Sequence, residues 1–123
     1  MKSELEEARA LVAKAGMETF LTRGTAYCAT SDALFPIVKV AINRIEPIVR
    51  GPGIHTFVEK RALSILDAIK SGKLLPPVMV YGWSIKGYEY TLYDGFHRYY
   101  LSRALGFSEI FVSVNPYEQD AIE

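Results

Sequence analysis

Asp94, Gly95, His97 and Arg98 fall within five residues of one another, in the stretch YDGFHRYY that runs from Tyr93 to Tyr100. Strand formers precede the Asp-Gly pair, and a helical pattern follows it, so the two cationic types sit in the first turn of a helix. That turn already carries about half a positive charge and several unpaired N–H groups, and an acidic residue would suit it better. An anion docked there reverses the argument. Gly95 has no side chain to block backbone approach, the first-turn N–H groups point outward, and Arg98 can grip two oxygens through its planar fork, with His97 as a further donor. Phosphate is the natural guest. The competing arrangement is internal: Asp94 caps the helix and pairs with His97 or Arg98 while both cations reach water, at roughly 0.3 to 1 kcal/mol each.

The elements that must position these residues can be read outward from them. SELEEARALVAKA, residues 3–15, predicts a helix in which Ser3 caps, Glu6 completes a capping box, and Leu5, Ala8, Leu11, Val12 and Ala15 share a face. METFLTR, residues 17–23, is a candidate short helix, and ATSD is loop-like. The pattern therefore gives an N-terminal helical extension over 1–35 that packs on a main domain over 36–123. PIVKVAINRIEPIVRGPG reads as a strand, an extended segment and a turn. Thr56 is placed to cap a helix through about Lys70, in which Val58, Ala62, Ile65, Leu66 and Ile69 recur at helical spacing. Two antiparallel strands follow near 78–85 and 88–93, joined at Lys86-Gly87. A helix over 96–105, stopped by Gly106, and a last strand in SEIFVSV complete an α+β domain with one sheet flanked by helices.

LYDGFHRYYLSRALGFSEIFVSV, preceded by ALSILDAIKSGKLLPPVMVY, resembles the ParB and sulfiredoxin superfamily over roughly residues 36–115. The resemblance implies a ParB/sulfiredoxin-like mixed sheet and a nucleotide-phosphate site, for CTP in ParB proteins and for ATP or ADP in sulfiredoxins and the related free serine kinases. Gly95, His97 and Arg98 match its phosphate-binding element, and Asp94 matches the first residue of the kinase form Asp-Gly-His-His-Arg. Phe96 stands where sulfiredoxin carries its catalytic cysteine, which argues against sulfiredoxin chemistry. Arg61 and Ser64 match two positions of a nucleotide-facing helix, with Ala68 in place of the third. They lie three apart on one helix face, where a cation and a hydroxyl can address the same phosphate chain, or simply form a solvated stripe.

The resemblance also implies a glutamate base from an early segment. Glu46 is the acid in that place; it is either a base or a surface acid before Pro47. Arg50 matches an arginine of ParB proteins. Magnesium carried in by ATP, ADP or CTP has Asp94 and Glu46 as nearest carboxylates. The expected activity is nucleotide binding, with NTP hydrolysis or small-molecule phosphorylation as the enzymatic form, and an interaction or regulatory protein that retains the fold as the alternative.

Composition narrows the partners. Fourteen Lys and Arg balance fourteen Asp and Glu over 123 residues, so no global field draws nucleic acid, and the superfamily's DNA-binding region is not recognised in this stretch. DNA binding by this chain alone is not expected. His55 and His97 lack a third partner at metal spacing, and no protein-held metal is expected. The single cysteine, Cys28, excludes a disulfide framework and suits a small buried hydrophobe in a reducing compartment. With no spanning run and an acidic start, the chain reads as cytoplasmic and not bound to membrane. The N-terminal helix is the candidate surface for homo-oligomer formation. Trp83, Tyr81, Tyr88, Tyr90, Tyr93, Tyr99 and Tyr100 are either a stacking platform for a base or sheet surface and core.

Overall fold

The computed structural model describes residues 3–48 and 57–116. Helix α1 spans Glu4–Lys14, and its start is fixed locally: the Ser3 hydroxyl accepts the Glu6 N–H at 3.2 Å. Three glutamates in its first turn and Lys14 in its last complement the helix dipole. No helix forms over 17–23; the chain makes a turn there, closed by the Phe20 N–H on the Met17 carbonyl. Ala8 and Val12 of α1, with Met17 and Tyr27 beyond it, enter the same apolar core as the sheet and the other helices. That burial ties the N-terminal segment to the rest.

Strand β1 (Ile37–Ala41) leads through a 3-10 turn at Ile42–Arg44 into the short β2 (Ile45–Glu46). These two sequence neighbours end on opposite edges of one five-stranded sheet, whose order is β1-β5-β3-β4-β2. Helix α2 (Glu59–Lys70) follows, with Ala62, Leu66 and Ile69 turned inward at helical spacing. Thr56, the expected cap, lies outside the described residues, and Val58 occupies the cap position.

The hairpin departs from the two-residue expectation. Strands β3 (Val78–Tyr81) and β4 (Tyr90–Asp94) do pair antiparallel, but residues 82–89 connect them. The connecting groups bond sideways: the Ser84 hydroxyl donates to Glu46, and the Glu89 N–H to the Arg44 carbonyl. Those bonds satisfy polar groups that a tight turn would have placed across the ladder. At its far end the β3–β4 register slips by one between Met79–Asp94 and Val80–Leu92, which leaves Tyr93 as an extra residue two positions before Gly95.

Helix α3 (Phe96–Leu105) leaves β4 directly and packs on both α1 and α2, and β5 (Glu109–Asn115) then inserts between β1 and β3. It runs antiparallel to β1 and parallel to β3. Val78, Val80, Leu92, Ile110 and Val112 form the buried sheet face. The architecture is α+β, a mixed sheet with helices packed on it. No helix among the described residues is long and apolar enough to cross a membrane.

Candidate functional site

Gly95 joins β4 to α3 with φ +108°, a left-handed conformation that a side chain disfavours. Space demands glycine as well. A Cβ there would lie 2.7 Å from Val78 Cγ1 and 2.9 Å from Val78 Cβ. Gly95 therefore lets the start of α3 settle against β3, which seats this helix terminus at the rim of a cleft.

The cleft measures about 370 Å³. Asp94 and Gly95 at the end of β4, Arg98 in the first turn of α3, Arg61 of α2 and Pro76 before β3 all contribute to its lining. Phe96 and His97 line it too, though both rings are buried. Arg61 is exposed on the cleft side of α2, and Ile65, one turn later, lines the cleft beside it. Ser64 is exposed and does not line the cleft. Thus five expected residues of the Asp94–Arg98 stretch and Arg61 are brought together, while Ser64 sits apart.

His97 is held as an acceptor. Its Nε2 receives the Val58 N–H at 2.9 Å, so that nitrogen carries no proton in this arrangement and the ring is a neutral imidazole. Phe57 packs edge-on against the ring, with centroids 5.2 Å apart, and also meets Phe96 at 5.0 Å. The cationic conflict at the helix start is thereby relieved for His97. Phe96 fills the apolar wall between Phe57 and Tyr100.

Arg98 is held differently. Both Nη1 bonds go to main-chain carbonyls, those of Pro76 and Pro77, each at 2.9 Å. Nη2 lies 3.5 Å from the Asp94 carboxylate, whose side chain is 60% exposed against 16% for Arg98. Asp94 is thus a solvent-facing counterion in direct ion pairing with Arg98, a contact that water weakens. Tyr27, from the N-terminal segment, donates to the same Pro76 carbonyl at 2.5 Å. Burial pushes its phenol up to about 12, and the adjacent Arg98 guanidinium opposes part of that rise. Sequence reasoning missed Tyr27, because nothing local in TAYCAT signals a contact with residue 76.

Glu46 stands elsewhere. It pairs in register with Thr91, accepts the Ser84 hydroxyl at 2.6 Å, and is not part of the cleft lining. Cys28 is exposed, contrary to the buried role expected of it. Arg50 and His55 lie outside the described residues. Tyr93, Tyr81 and Trp83 form a stacked row, with centroids 4.3 and 5.1 Å apart, of which only Tyr93 reaches the cleft. Among the described residues no three His, Cys, Asp or Glu side chains gather as a metal site.

The fold, seen with this cleft, is the ParB/sulfiredoxin-like one. A C-terminally truncated chromosome-partitioning protein ParB from Caulobacter crescentus, complexed with CTP-γ-S, superposes with a TM-score of 0.55 at 18% identity, over 71% of this chain and 48% of that one. Sulfiredoxin from Arabidopsis thaliana gives 0.54 at 20% identity, over 71% of this chain and 92% of that one. The same ParB bound to its centromeric parS site gives 0.50 at 19%, over 69% and 42%. The chain spans about half the length of the ParB structures it matches. No family model matches the chain, and no curated protein does.

Proposed function

We propose that this chain is a nucleotide-phosphate-binding module whose site is the cleft between α2 and the start of α3. The observation that carries the reading is the convergence of Arg61 from α2 and Arg98 from α3 on one cleft at the N-terminus of α3. A phosphate chain entering there meets two guanidinium groups and the positive end of a helix, a combination that favours anions without any net protein charge. An entering phosphoryl oxygen displaces Asp94 from Arg98. A fold shared with a ParB that holds CTP-γ-S supports a nucleotide as the carrier of that phosphate.

The donor set suits magnesium brought by the nucleotide. Among the described residues Asp94 is the one carboxylate in the lining, and magnesium commonly takes one or two carboxylates together with phosphate oxygens. Once displaced from Arg98, Asp94 is the residue to hold it. ATP, ADP and CTP remain the candidate nucleotides.

Binding without chemistry is favoured over hydrolysis or phosphoryl transfer. Glu46, the expected base, is engaged by Ser84 outside the lining, and a base must lie within hydrogen-bond reach of the hydroxyl it deprotonates. A second reading, an interaction protein that keeps the fold without the ligand, draws on the internal roles of Gly95 against Val78 and His97 on Val58.

Thermal-shift titration with ATP, ADP, CTP and GTP, each with magnesium, separates the two. Stabilisation that grows with nucleotide concentration is expected. Absence of any shift at millimolar concentration of all four overturns the nucleotide reading and leaves the interaction protein.

A further inference from the structure

The segment from Thr25 to Thr30 runs beside the approach to β3. The Leu75 N–H donates to the Cys28 carbonyl at 3.0 Å, the Thr30 N–H donates to the Leu75 carbonyl at 2.9 Å, and Ala29 and Leu75 form a parallel bridge. Immediately after this rail come Pro76 and Pro77. Neither proline has an N–H, so this dipeptide can be fixed in the sheet margin only through its carbonyls and the residues beside it.

Both carbonyls carry Arg98, and that of Pro76 carries Tyr27 as well. Tyr27 is buried, at 3% exposure, and its hydroxyl converges with Nη1 of Arg98 on one oxygen. Two donors on one carbonyl fix its direction more tightly than either alone. The phenol stays protonated at neutral pH, and so remains a donor there.

Resting on the reading of the cleft as a phosphate site, we propose that Tyr27 is a positioning residue for Arg98. By holding the Pro76 carbonyl, it presents the guanidinium to an incoming phosphate in a fixed orientation, which makes the N-terminal segment a working part of the site. Arg98 then binds with its fork already ordered, and ordering before binding raises affinity without a new ligand contact.

Tyr27→Phe removes one hydroxyl and keeps the buried ring. Two measurements test it, both on the full chain. In ligand-free protein, NMR of the Arg98 guanidinium is expected to show resolved, slowly rotating Nη protons in the wild type and averaged signals in Tyr27→Phe. In calorimetric titration with MgATP and MgCTP, Tyr27→Phe is expected to bind about tenfold more weakly, the scale of a lost hydrogen bond in a charged network. In an Arg98→Lys background the same substitution should add nothing, whereas a purely structural role would add its effect regardless.

A freely rotating Arg98 in the wild type overturns the proposal, as do unchanged Arg98 signals in Tyr27→Phe or full additivity with Arg98→Lys. Failure of wild-type protein to bind either nucleotide overturns the phosphate reading instead, and the guanidinium spectra still decide whether Tyr27 orients Arg98.

Discussion

His97 Nε2 accepts the backbone N–H of Val58 at 2.9 Å, joining the first turn of α3 to the cap position of α2. Replacing His97 by Phe keeps an apolar ring in the box formed with Phe57 but leaves that N–H without its acceptor. We expect a loss of roughly 0.5 to 1.5 kcal/mol in urea denaturation, the usual net contribution of a hydrogen bond, since this one is only partly buried. His97→Gln, which offers an acceptor oxygen, should lose less. Equal stability of all three proteins would show that the bond contributes nothing.

Gly95→Ala should be costly for two independent reasons. The left-handed φ of +108° is strained for alanine, at roughly 1 to 3 kcal/mol, and the added methyl meets Val78 at under 3 Å. Chemical denaturation is expected to show a drop at or beyond the upper end of that range. Gly106→Ala shares the positive φ but has open space around it, so it should lose less and isolate the steric part.

Arg98→Lys keeps the charge and removes the fork. Lysine cannot reproduce two bonds to the Pro76 and Pro77 carbonyls together with a phosphate contact, so nucleotide affinity should fall by more than tenfold. Calorimetric titration checks this. Unaltered affinity would remove Arg98 from the site.

Glu46→Gln should leave nucleotide affinity unchanged. Its carbonyl oxygen still accepts from Ser84, and the residue lies off the cleft lining, so stability should also stay within about 0.5 kcal/mol. If the protein turns nucleotide over and this substitution abolishes turnover, Glu46 acts chemically and the module is an enzyme.

The alkaline limb of stability should be steep. Burial raises the Tyr27 and Tyr100 phenols from 10.0 to about 12 in the folded chain. The unfolded chain therefore loses these protons first, and the stabilisation, complete below about pH 10, is lost as pH rises through 12. Tyr27→Phe should flatten the fall in unfolding midpoint across that window. An equally steep fall in the variant would contradict the assignment.

Much of the local structure was legible because its causes are local. Ser3 and Glu6 mark the start of α1, the spacing of Ala62, Leu66 and Ile69 marks the inner face of α2, and Gly95 and Gly106 bound α3. The stretch from Asp94 to Arg98 was likewise recognisable as a strand end, a glycine turn and a helix start. The 82–89 connection was not, because its bonds run to Arg44 and Glu46, some forty residues earlier in the chain.

What the residues around YDGFHRYY determined by themselves was a helix start carrying unusual side chains, and hence a question about charge. The answer differs for the two cationic types, and only tertiary structure could decide it. His97 turns inward because Val58 brings it a donor across 39 residues, and there it acts as a neutral acceptor. Arg98 stays at the cleft because Pro76 and Pro77, with Tyr27 behind them, supply carbonyls that neighbouring residues in its own helix cannot. Protonation and orientation depend on groups distant in sequence, and no local pattern records them.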